Sequence, residues 1–260
     1  MIRIIIFIKL TFYIIQKTYI LNNVDDVMKE DRFTIRSIIK DSWNIFIKNW
    51  ISLLMIVLIV NIPLKILDLF IPVKATDDIF LILFSIPSIL NFLFGIIATI
   101  GICFIVKSAF QKKSIDWKTA LKKSFERWPY VIITQIILTI IMLISFALVV
   151  IPGIIVMIYL IFTIYCTILN DKFAFEAIRY SFSIVKKRWW RTLGYILLLG
   201  IFSAVISLII TLPAGFIGKG AVIETIFSLL NSFTNSFFIV ASIILFFNYE
   251  SSVKKSKSFK

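Results

Sequence analysis

The chain has 260 residues, 60% of them hydrophobic and 16% charged, with a formal net charge of +14 and a mean hydropathy of +1.01. Such a hydropathy excludes an ordinary soluble domain, and several apolar runs exceed the roughly 18 residues that cross a bilayer as helix. Histidine is absent, which removes the commonest general base and a common metal ligand.

Hydrocarbon leaves backbone groups no water to bond, so spanning segments must be helices or closed barrels. The alternating ten-residue segments of a barrel are not seen. The fold class expected is therefore all-α: a polytopic membrane bundle of six transmembrane helices, arranged as three repeats of an interfacial amphipathic helix plus two spans. The positive charge would suggest nucleic acid in a soluble protein. Here the bases lie between apolar runs, and no nucleic-acid partner is expected. Cys103 and Cys166 fall inside apolar runs with no CxxC spacing and read as packing residues rather than a disulfide or metal site.

Residues 1–27 are apolar but interrupted by Arg3, Lys9 and Lys17. They read as an extension before a start at Met28 or as a short interfacial helix. A single membrane domain is expected over 28–250, with units near 33–106, 114–169 and 171–249, and a basic, disordered tail over 251–260. In the first unit Ile35, Ile38, Ile39, Ser42, Ile45, Phe46 and Trp50 make an apolar stripe. A span follows from about Ile51 to Ile71, where Lys65 and Asp68 can pair three residues apart or snorkel to water. The next span covers Ile79–Val106, with a kink expected at Pro87.

In the second unit Ser114 is the expected N-cap. Trp117, Ala120, Leu121, Ser124 and Trp128 form one face and Lys118, Lys122, Lys123, Glu126 and Arg127 the other. The apolar run Tyr130–Leu169 is too long for one span, and Pro152-Gly153 is the expected turn between two. Gln135 is expected to hydrogen-bond across helices.

The third unit opens on a helix over 173–189. Phe175, Ile178, Phe182, Val185 and Trp189 fall on one apolar stripe, flanked by Ala174, Ala177 and Ser181, which let a neighbouring backbone come close. The helix is expected to lie on the membrane surface. At its end Lys186, Lys187, Arg188, Trp189, Trp190 and Arg191 combine basic and aromatic groups. These are the candidate contacts for anionic lipid or a partner, against the plainer reading that the charge only sets topology. A span follows over Leu193–Leu212, a Pro/Gly turn over 213–220, and a last span over Ala221–Tyr249. In that span Asn231 and Asn235, four apart, share a face. They are the candidate polar intramembrane face, lining a cavity or bonding to neighbouring helices.

The units repeat a pattern: Ile38-Ser42-Trp43, Ala120-Ser124-Phe125 and Ala177-Ser181-Phe182. A Trp then enters each span at Trp50, Trp128 and Trp190, and a Pro ends it at Pro72, Pro152 and Pro213, at separations of 22, 24 and 23 residues. As helix that is about 33–36 Å, a bilayer's thickness with some tilt. The bases cluster before, between and after the span pairs, while the opposite side has only Lys74 and Lys219. The expected location is the cell membrane, multi-pass, with both termini cytoplasmic.

The segment 150–199 resembles the glycerophosphoryl diester phosphodiesterase membrane-domain family and related six-span bacterial membrane proteins. The likeness is carried by Pro152-Gly153, Asp171, Glu176-Ala177, Ser181, the run Lys186–Arg188 and Trp189-Trp190. It implies the membrane domain without the enzyme: the phosphodiesterase chemistry of such proteins sits in a separate barrel of roughly 250 residues, for which this chain has no room.

No spacing groups a nucleophile, base or metal set, so no catalysis, cofactor or metal is expected. The first reading is a non-catalytic membrane protein that organises lipids, anionic ones in particular, or partner proteins at the cytoplasmic leaflet. The alternative is a permease-like subunit whose ATPase is a separate chain, since no GxxxxGK[ST] loop occurs here.

Overall fold

The computed structural model describes residues 35–70, 85–217 and 220–258. The extension 1–27, Met28, Pro72 and its loop, Ile79, Lys74 and Lys219 lie outside these residues, as does the side chain of Asp68. Nine helices and no strand occur among the described residues: α1 Ile35–Lys48, α2 Trp50–Phe70, α3 Ile86–Phe110, α4 Trp117–Leu148, α5 Val150–Leu160, α6 Thr163–Leu169, α7 Ala174–Val185, α8 Trp189–Ile217 and α9 Ala221–Ser258. Six segments are long and apolar enough to cross a membrane: Trp50–Leu67, Ile86–Phe110, Trp117–Leu148, Val150–Leu169, Trp189–Pro213 and Val222–Val253. The protein is an all-α polytopic membrane protein.

Several boundaries differ from those expected, each for a local reason. Pro87 lies in the first turn of α3, behind Ser85, whose side chain accepts from the Ser88 N–H. A proline there displaces no helical hydrogen bond, so it starts the helix rather than kinking it. The turn after α4 is at Val149, extended at φ −161°, and Pro152 again sits inside the following first turn. Gly153 is needed for a different reason: a Cβ there would stand 2.7 Å from the Phe146 ring. Pro213 closes the fifth apolar segment but lies inside α8, which continues to Ile217, whereas Pro152 lies inside the fourth segment rather than at the end of the third. α4 begins at Trp117, not after Ser114, and runs unbroken from its charged first turns into the span. The chain after Tyr249 is not disordered at its start. α9 continues to Ser258, and Ser251 and Ser252 donate back to the Asn248 carbonyl at 2.8 and 3.2 Å.

Contacts divide the chain into two units: Ile133–Ile196 with Phe246 onward, and Arg36–Ile132 with Leu197–Leu245. In the second of these, α2 packs along α3. Gly101 is the close approach: a Cβ would meet Ile56 Cδ1 at 2.8 Å and Ser124 Oγ at 3.2 Å. The Trp128 indole donates to the Leu93 carbonyl at 2.5 Å, and its ring stacks on Phe94. α1 buries Ile38 and Ser42 and sets Trp43 and Phe46 against Phe233 and Phe237 of α9.

In the other unit α7 packs against α5 and α6. Its buried face is Ala174, Ala177, Ser181, Ile184 and Val185, whereas Phe175 is 62% exposed. The small residues, expected beside the stripe, are thus the packing face. The helix lies along span four rather than by itself on a surface, because small side chains admit the neighbouring backbone and Ser181 donates to the Tyr159 carbonyl at 2.8 Å. Phe162 packs on Phe246 and Tyr249. Gln135 forms no hydrogen bond with its side chain among the described residues. Its neighbour Thr134 makes the cross-helix link, accepting from the Ala174 N–H at 3.3 Å.

The three serines of the repeated pattern, Ser42, Ser124 and Ser181, are each fully buried. So are the residues four before them, Ile38, Ala120 and Ala177.

Candidate functional site

The basic-aromatic stretch between α7 and α8 is built by a helix break. α7 ends at Val185 and α8 begins at Trp189, and the Arg188 N–H returns to the Val185 carbonyl at 2.7 Å. This tight turn sorts five of the six predicted residues into two groups and leaves Arg191 between them. Arg188 is half-buried, its guanidinium 5.5 Å from the centre of the Tyr249 ring, a cation–π geometry. Trp189 is also half-buried and donates from its indole to the Ile155 carbonyl at 3.4 Å. Both belong to the packing of the unit. Lys186 and Lys187 are exposed, and Trp190 is 62% exposed while it meets Trp189 edge to face. Lys186 lies 5.9 Å from the Phe182 ring. Arg191 is intermediate in exposure. Behind them Thr192 is buried, donating to the Arg188 carbonyl at 2.9 Å and lying 3.4 Å from the Tyr249 hydroxyl.

A second polar group sits at the other end of α7, and sequence reasoning missed its central residue. Glu250 is 7% exposed, and one of its carboxylate oxygens accepts from Asn170 Nδ2 at 2.9 Å and from the Tyr180 hydroxyl at 3.1 Å. It ties together the end of α6, the middle of α7 and the end of α9. The signal was present, a lone acid between an apolar span and a basic tail, but the segment after Tyr249 reads as a tail. Burial, and next the Glu250 carboxylate, hold the Tyr180 phenol above its ordinary range. Lys172 pairs with Glu176 and lies 4.9 Å from the Tyr180 ring. Two residues here are left-handed, Asp171 between α6 and α7 at φ 57° and Ala174, the first residue of α7, at φ 45°. Aspartate tolerates that region better than most residues.

Asn231 and Asn235 lie in the other unit, on α9. Asn231 is intermediate and Asn235 exposed, and neither side chain has a hydrogen-bond partner among the described residues. The structure thus groups the six residues of the α7–α8 turn locally and keeps the asparagine pair as a separate feature. No group of three or more His, Cys, Asp or Glu residues that could hold a metal occurs among the described residues.

Fold and surface together define a polytopic helical membrane protein with a basic, tryptophan-edged turn at the entry to its fifth span. The chain belongs to the family described as "Domain of unknown function (DUF7847)", whose model matches residues 79–251. That range holds spans two to six. No curated protein and no solved structure matches the chain.

Proposed function

We propose that this is a non-catalytic integral protein of the cell membrane, with both termini cytoplasmic, that holds anionic lipid headgroups at the edge formed by Lys186, Lys187 and Trp190. One observation carries the reading. Of the six clustered residues, these three remain exposed while Arg188 and Trp189 are used in packing. Two ammonium groups beside an outward indole suit the headgroup level of a bilayer, where phosphates accept and the ring lies among ester groups. Each base near an anionic surface contributes about 1 kcal/mol, so the variant K186Q/K187Q is expected to lose about 2 kcal/mol, roughly thirtyfold in affinity. The test is native mass spectrometry of the full-length protein released from mixed anionic and zwitterionic membranes. Retention of anionic lipid by the double variant at the wild-type level would overturn the reading.

The permease-like alternative has an observation of its own. Two amides four residues apart on the last span have no hydrogen-bond partner among the described residues, and in hydrocarbon each would be costly. A water-filled pathway, with the motor on a separate ATPase chain, would solvate them. In this reading, replacing both Asn231 and Asn235 with Leu abolishes flux in the native membrane. In the lipid-holding reading the same change leaves lipid retention intact.

A further inference from the structure

Five of the six spans are single helices across their described residues, and span four is not. α5 ends at Leu160 and α6 restarts at Thr163. The interruption is slight: Phe162 sits at φ −92°, ψ 1°, against about −63°, −42° in a regular helix. At this point the Thr163 hydroxyl is fully buried with no hydrogen-bond partner, the one such side-chain atom among the described residues.

In a continuous helix the N–H and the hydroxyl of residue 163 would both address the carbonyl four residues back, that of Tyr159. That carbonyl accepts instead from Ser181 of α7, at 2.8 Å. The two serines at matching positions of the sequence pattern behave differently. Ser42 donates to its own Ile38 carbonyl at 2.6 Å and Ser124 to its own Ala120 carbonyl at 2.8 Å. Ser124 packs at Gly101 of α3, and α3 is unbroken from Ile86 to Phe110. One molecule therefore holds both arrangements: a self-bonded serine beside an intact span, and a cross-bonded serine beside an interrupted one.

We infer that Ser181 and Thr163 compete for the Tyr159 carbonyl, so that span four is interrupted while α7 is docked through Ser181 and becomes continuous when Ser181 turns back to the Ala177 carbonyl. The rotation required is confined to the ψ of Phe162 and its neighbours. Rotation of the Ser181 side chain leaves its hydroxyl bonded and gives Thr163 the acceptor it lacks in the docked state, so the continuous state leaves none of these groups unpaired. The trigger rests on the lipid reading above. Headgroups that engage Lys186 and Lys187, one turn beyond Ser181, draw the end of α7 outward and release Tyr159. α7 then reports the composition of the leaflet to the interior of the bundle.

The test uses the full-length protein in lipid nanodiscs, isotope-labelled at phenylalanine carbonyl carbons and threonine nitrogens. Only three Phe–Thr pairs occur, Phe33-Thr34, Phe162-Thr163 and Phe233-Thr234. Loss of one signal in Thr163→Val identifies the central pair. In zwitterionic lipid, Ser181→Ala and Ser181→Cys are expected to move the Phe162-Thr163 signal to the helical range while the other two pairs stay in place. Ser181→Thr, which keeps the hydroxyl, is expected to leave it unmoved. An unmoved signal in either hydroxyl-free variant that retains the other two signals, or an equal shift in Ser181→Thr, overturns the exchange. Adding anionic lipid is expected to move the wild-type signal in the same direction, and to leave that of K186Q/K187Q unmoved. If the serine variants respond and the lipid titration does not, the exchange stands and the lipid trigger fails.

Discussion

Tyr180 shows at residue scale how a partly buried polar contact makes stability depend on pH. Its phenol is held above the ordinary value of about 10 by burial and then by Glu250. The unfolded chain loses this proton near pH 10 while the folded chain keeps it, so the unfolded state binds fewer protons above that point. The contribution is complete below about pH 10 and declines as pH rises toward the folded value. Tyr180→Phe is therefore expected to cost about 1 kcal/mol near neutrality, the net value of one hydrogen bond. It should also show a shallower fall in melting temperature between about pH 9 and 11. A wild-type-like slope in that variant would remove Tyr180 as the source. Glu250 itself illustrates what a one-dimensional reading misses. Its partners Asn170 and Tyr180 lie 80 and 70 residues away in the chain, and no local pattern announces them.

At the scale of elements, the helices meet where side chains are small. Gly101 lies against Ile56 and Ser124 so closely that a Cβ would fall 2.8 Å from Ile56 Cδ1, and Ile56 is fully buried. Gly101→Val is expected to destabilise by about 1–3 kcal/mol, the usual cost of overpacking. Gly200 of α8 has nothing within 4 Å of an added Cβ. Gly200→Ala is therefore expected to be neutral or to stabilise by up to about 1 kcal/mol through helix propensity. Thermal unfolding of both variants in one detergent separates the two cases, and equal effects would contradict the close approach at Gly101. The small stripe of α7 was legible as a place where a backbone could come near, because Ala174, Ala177 and Ser181 recur at helical spacing. Which backbone came near, and that the aromatic Phe175 turned outward instead, depended on α5 and α6 being folded beside it. The prolines misled for a related reason. A proline breaks a helix only where an N–H is needed, and Pro87 and Pro152 occupy first turns where none is.

For the whole molecule, the proposed topology has a direct check. Cysteines placed at Ser114 and Ser251 are expected to react with an impermeant maleimide only after cells are opened, and one placed at Thr76 in intact cells. The native Cys103 and Cys166 are both buried, which keeps the background low. Labelling of Ser114→Cys in intact cells would reverse the orientation. Sequence alone determined that the chain is helical and membrane-embedded, that it makes six spans, and that basic and aromatic residues gather before the fifth. Each of these follows from local composition and the demand that a backbone in hydrocarbon bond to itself. Only the tertiary structure decided which of the clustered residues stay exposed, which serine leaves its own helix, and where span four is interrupted. Those outcomes depend on competition between groups distant in the chain for the same carbonyl or the same small gap, and spacing in the sequence does not encode the winner.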